Sequence, residues 1–105
     1  MSTVVNDAIA GLSGISTSAG FGIPSAFTSR ALTKDDNGNT LVCASAQVAT
    51  VNVDLPVGFG CAFKGAVSFA GTATVNDVRT TGATNPWCSL VQTAANTYDA
   101  VGGKA

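Results

Sequence analysis

Apolar and polar residues alternate strictly between Ala49 and Leu55, with Ala49, Val51, Val53 and Leu55 on one side and Thr50, Asn52 and Asp54 on the other. A period of two sets one side of the chain against a core and the other in water, so the pattern predicts a half-buried strand. Pro56-Val57-Gly58 ends it: proline cannot donate to a ladder and glycine admits turn conformations. Phe59, Cys61 and Phe63 repeat the period on a further strand closed by Gly65. The remaining text reads the same way, with short strands over residues 40–45, 67–69, 72–78, 87–93 and 97–101. Asp36-Asn37-Gly38-Asn39 and Ala94-Ala95-Asn96 supply turns, because Asn and Gly tolerate positive φ, and residues 80–86 form a polar loop. Strands this short and turns this frequent predict an all-β domain, a small antiparallel β-sandwich or barrel. No internal repeat is visible.

Before Arg30 the pattern changes. Gly11, Gly14, Gly20 and Gly22 alternate with Ser, Thr, Ala and single bulky apolar residues. Residues 4–12 suffice for a helical turn or two, but interior glycines cost about 1 kcal/mol each. Residues 1–30 therefore read as an extended, Gly/Ser-rich N-terminal arm, flexible when free, and residues 31–105 as the β-domain. The arm is not an ordinary solvated linker, since Ile9, Leu12, Ile15, Phe21, Ile23 and Phe27 recur along it. A flexible segment with spaced apolar anchors is built to order on a partner. Ile15, Phe21, Ile23 and Phe27, with Trp87 from the β-domain, are the candidate partner-binding residues.

Composition supports strands and narrows the partners. A chain of 105 residues makes one domain, able to bury roughly 65% of its unfolded surface. Val and Thr outnumber Leu and there is no Glu; β-branched residues are stiff at χ1 and suit a pleated surface. Charged residues are only 10% of the chain and the net charge is −1. Arg30, Lys34, Lys64, Arg79 and Lys104 are scattered singly, without the basic patch that phosphate neutralisation requires, so nucleic acid is not the expected partner. Depletion of charge is instead typical of buried interface cores. Residues 8–29 are uncharged but interrupted by Gly, Ser, Thr and Pro24, so no membrane-spanning helix is expected. The opening Met-Ser-Thr-Val-Val-Asn-Asp lacks the basic region of a signal peptide.

The chain offers little for catalysis. Without His, the Ser-His, Cys-His and His-metal arrangements are excluded. Asp35 and Asp36 are neighbours, and neighbours on a strand point to opposite faces. Aligning Gly38 with the invariant glycine of a calcium loop puts Thr33 and Ala44 where carboxylates belong, so Asp-Asp-Asn-Gly-Asn reads as a turn. Gly20-Phe21-Gly22-Ile23-Pro24-Ser25 lacks the third glycine of a dinucleotide fingerprint. Cys43, Cys61 and Cys88 are odd in number and too widely spaced for zinc pairs; buried free thiols in a reducing cytoplasm are expected. Trp87 and Tyr98 sit in strand-like runs, where packing is the ordinary role of an aromatic. No catalytic, cofactor-binding or metal-binding residue is expected.

Leu32-Thr33-Lys34-Asp35-Asp36-Asn37-Gly38-Asn39-Thr40-Leu41-Val42-Cys43 resembles the opening of a small β-module recurrent in tailed-bacteriophage virion proteins, Leu-Thr-x-x-Asp-x-Gly-x-Thr-Leu. The alternating strand, Leu55-Pro56-Val57-Gly58-Phe59, Ser89-Leu90-Val91-Gln92, and Asn96-Thr97-Tyr98 with Gly102 continue the likeness in order. It covers residues 31–103. Such modules occur in head decoration (cement) proteins, head fibres and tail fibres. The resemblance implies a β-sandwich or β-tulip fold, commonly a homotrimer, and the major capsid protein as partner. A decoration protein would bind the outside of the head at a symmetry axis and stabilise it, folding first in the host cytoplasm. The Gly-rich arm has no counterpart in the module, and a single module favours a free-standing decoration protein over a fibre chain. A head-fibre or tail-fibre component is the alternative within the class. A carbohydrate-binding module using Trp87 or Tyr98 is the alternative outside it.

Overall fold

The computed structural model describes residues 24–105. Nine strands follow one another: β1 (Ser25–Ala26), β2 (Arg30–Ala31), β3 (Thr40–Val42), β4 (Gln47–Thr50), β5 (Gly60–Lys64), β6 (Val67–Ala70), β7 (Thr74–Asp77), β8 (Trp87–Ala94) and β9 (Thr97–Gly102). A single turn of 3₁₀ helix, Lys34–Asp36, separates β2 from β3. The β-rich composition thus becomes an almost purely β domain.

The strands form a six-stranded sheet ordered β1-β3-β5-β8-β9-β7 and a three-stranded sheet ordered β2-β4-β6. In each of the pairs β1–β2, β3–β4 and β5–β6 the chain passes from the larger sheet to the smaller. The three pairs stack in parallel as successive coils. Ser25, Leu41 and Phe63 form one column, and Arg30, Ala49 and Phe69 another. The corners are bonded too: Phe27 N–H donates to the Val42 carbonyl (2.8 Å) and Cys43 N–H to that of Lys64 (2.7 Å).

This arrangement corrects two expectations. Among the described residues, antiparallel pairing holds only for β5–β8 and the β8–β9 hairpin; the other pairings, β7–β9 included, are parallel. Alternation reports which face is dry and says nothing about the direction of the neighbouring strand. There is also a structural repeat, the coil. Its length differs between Ser25-to-Leu41 and Leu41-to-Phe63, so no fixed sequence period betrays it.

Glycine makes the third coil fit on the second. Gly65 and Gly71 have φ of +107° and +116°, and a Cβ at either would collide with the Cys43 or Val51 carbonyl oxygen respectively. Only glycine supplies both the left-handed conformation and the close backbone approach.

The inner faces of both sheets meet in one core, with Phe59, Phe63, Tyr98, Leu41, Leu90, Val51 and Cys61 as its largest fully buried side chains. Phe59, Cys61 and Phe63 share the buried face that their spacing predicts. The alternation from Ala49 to Leu55 is only partly a strand, because β4 ends at Thr50. Val51 and Leu55 are still buried, whereas Val53 sits half exposed in a turn.

The Asp-Asp-Asn-Gly-Asn run is a clip. Asp36 accepts from Thr33 N–H (2.8 Å) and takes both prongs of the Arg30 guanidinium, at 2.8 and 2.9 Å. Asn37 Oδ1 accepts from Gly60 N–H (3.0 Å), and Gly38 N–H donates to the Gly60 carbonyl (2.7 Å). The turn thereby ties β2 to β5.

Residues 24–30, the only part of the predicted arm within the described structure, belong to the coils. They supply β1, the corner at Phe27 and the first residue of β2. Residues 1–23 lie outside the description. Among the described residues no helix is long and apolar enough to cross a membrane.

Candidate interaction surface

Strands β5, β8 and β9 lie side by side near the middle of the large sheet, and alternation divides their residues between two faces, with Ala62 buried even on the outward one. Cys61, Phe63, Cys88, Leu90, Tyr98 and Ala100 point inward and are buried. The outward positions fall into rows fixed by the register. Lys64 lies opposite Trp87; Ala62, Ser89 and Val101 form the next row; Gly60, Val91 and Asp99 form the third.

An outward face of such a sheet is ordinarily polar. Here Trp87 is 50% exposed, Val91 45% and Val101 36%. Between Trp87 and Val101 lies a depression of about 260 Å³, floored by the small side chains of Thr40, Ala62 and Ser89. The charges among these rows are Lys64 and Asp99, and the Lys64 ammonium sits 5.6 Å from the centroid of the Trp87 ring. Bulky apolar ridges around a floor of small residues, nearly free of charge, have the make-up of an interface core.

The predicted partner-binding residues divide three ways. Ile15, Phe21 and Ile23 lie outside the described residues. Phe27 is 2% exposed and packs edge-on to Phe63 at 5.6 Å, with the Arg30 guanidinium 5.1 Å from its ring centroid. It is a core residue, because the first coil closes over it, and it has no surface to offer a partner. Of the two that are described, Trp87 stands on an exposed face. Tyr98, the other aromatic considered for sugar stacking, is 0% exposed, and its hydroxyl accepts from Gln92 Nε2 at 3.0 Å. Val91, Val101 and the small floor residues were missed by sequence reasoning. Splitting the run from Trp87 to Thr93 into its two faces yields Trp87, Ser89 and Val91 on one side, which was the available signal.

Cys43, Cys61 and Cys88 are free thiols and all buried. Burial pushes the Cys61 thiol up to about 12 and raises Cys88 as well, outweighing the nearby Arg79 guanidinium. Asp36 is turned onto Arg30, which holds its carboxyl below the usual range, while Asp35 is exposed. Among the described residues no group of three or more His, Cys, Asp or Glu is placed to hold a metal ion. Comparison of the chain with family models, with curated proteins and with solved structures found no match.

Proposed function

We propose that this chain is a structural assembly protein of the virion class that its motifs resemble, a decoration protein binding the outside of a bacteriophage head. The observation that carries the reading is the charge-poor outer face around Trp87, Val91 and Val101, which has the composition of a protein–protein contact and lacks the polar finish of a solvated sheet. The resemblance supplies the partner class, the major capsid protein, and the sandwich or tulip description of the fold. In this reading the N-terminal segment, with Ile15, Phe21 and Ile23 as anchors, lies across the shell while the β-domain stands above it. Several modest contacts held in one oligomer reinforce each other without new contact chemistry. A protein that binds only the assembled shell stabilises it by mass action, about 2.7 kcal/mol per site near a hundredfold excess over Kd.

Purified heads stripped of the protein test this. Adding it back should raise the temperature at which they burst, saturably, and protein lacking residues 1–23 should fail to coat them. Decorated and bare heads that melt alike would sink the cementing role. A fibre component is the second reading, and one observation favours it. The coils stack in parallel and, among the described residues, β1–β2 is the outermost rung, the kind of one-dimensional stacking from which elongated structures grow.

A further inference from the structure

We propose that the outer face of β5, β8 and β9 is the interface between two copies of this chain, related by a two-fold axis that lies in the plane of contact and passes over Ser89. The inference rests on the reading of this face as a protein contact, names a second copy as the partner, and sets a two-fold dimer in place of the homotrimer that the resemblance implies. Its basis is the arrangement of charge and bulk on the rows. Lys64 and Asp99 stand at diagonally opposite corners, with Ser89 at the centre between Ala62 and Val101. Neither has an ion-pair partner among the described residues.

The other diagonal runs from Gly60 through Ser89. Turning a second copy about that line sets Lys64 of each copy over Asp99 of the other, so both charges are matched twice. The same rotation lays Val91 over Ala62 and Trp87 over Val101. Ridges then meet the floor or each other's flanks, and Gly60, which carries no side chain, meets Gly60. The strands of the two copies cross near a right angle, one of the two ordinary modes of sheet-on-sheet packing. Spacings of about 6.8 Å along a strand and about 4.8 Å between strands leave a mismatch that Lys and Asp side chains can absorb. A face that is its own complement under a two-fold rotation is the requirement for an isologous dimer. An unrelated partner has no reason to find the two charges placed so.

The test uses the free protein in solution, without heads, so its failure leaves the decoration reading standing and the reverse also holds. Sedimentation equilibrium of the full chain should show a dimer. Lys64→Asp alone and Asp99→Lys alone should each weaken it at least about tenfold, because each puts like charges together twice. Mixing the two variants should restore association as a heterodimer, since every contact between them is again opposite in sign, and the double variant should restore the homodimer. Circular dichroism melts of all four proteins control for folding. A monomeric full chain overturns the proposal. So does a trimer, or a dimer indifferent to the charge changes. Loss of association on removing residues 1–23, with the charge variants silent, assigns the contact to the N-terminal segment and overturns it as well.

Discussion

Arg79 reaches back two residues to Asp77 and grips it with two prongs, Nε to Oδ1 at 2.9 Å and Nη2 to Oδ2 at 2.8 Å. The two partners differ in solvation: the guanidinium side chain is 3% exposed, the carboxylate 33%. Arg79 Nη1 also donates to the Val67 carbonyl at 2.8 Å, and the guanidinium lies 5.0 Å from the Phe69 ring centroid. A residue just beyond β7 in the large sheet is thereby fastened to β6 in the small one. The cation is held inside by groups from both sheets.

Breaking this pair should be asymmetric. Asp77→Ala strands a buried cation and should cost about 3–5 kcal/mol. Arg79→Met removes the cation and leaves a carboxylate that water and Lys104, 3.3 Å away, still serve, so the loss should stay under about 2 kcal/mol. Urea unfolding of the two variants checks the order. Equal losses would mean that the guanidinium is not desolvated as described.

Acid should weaken the fold through two carboxyls. Hydrogen bonding to Arg79 holds Asp77 far below the usual carboxylate range, and Arg30 lowers Asp36 in the same way. A carboxyl with a depressed folded pKa contributes stability above its unfolded value, near 3.9, and that contribution is lost as pH falls through the folded value. Stability should therefore be level from neutral to about pH 5 and decline below it. Asp36→Asn should start less stable and decline less steeply. Parallel declines for the variant and the parent would remove Asp36 from the account.

Phe27 and Trp87 should separate folding from assembly. Phe27→Ala opens a cavity under the first coil and should cost about 3–5 kcal/mol. Trp87→Ala trims a half-exposed side chain and should change stability by less than about 1 kcal/mol while weakening association. Truncation makes the same division: removing residues 1–23 spares every core residue described, whereas removing residues 1–29 takes Phe27 and β1. Thermal melts should place the longer truncation well below the shorter. If both truncations melt together, the first coil contributes nothing to the core.

The three thiols should be silent in the folded protein. Cys43, Cys61 and Cys88 are buried, and the thiolate that reacts is disfavoured in each because burial raises the pKa. A chromogenic disulfide reagent should find three thiols in denaturant and label none rapidly in native buffer. Fast labelling of any one under native conditions would place it at the surface or in a segment that opens.

The sequence by itself determined what depends on neighbouring residues. Asp36-Asn37-Gly38-Asn39 had to turn, Pro56-Val57-Gly58 had to break a strand, and Asn96, at φ 54°, had to take the tight bend between β8 and β9. Phe59, Cys61 and Phe63 had to share a face, because two-residue alternation is local geometry. Only the tertiary structure decided which strands are partners and in what direction they run. A period of two is the same for parallel and antiparallel neighbours, so the stacked coils, the burial of Phe27 and the pairing of Arg30 with Asp36 left no mark in the pattern. The outer face belongs to the same class. Lys64, Trp87, Val91, Asp99 and Val101 become one surface only through the register of three strands, a property of contacts between distant segments that no single stretch of the chain contains.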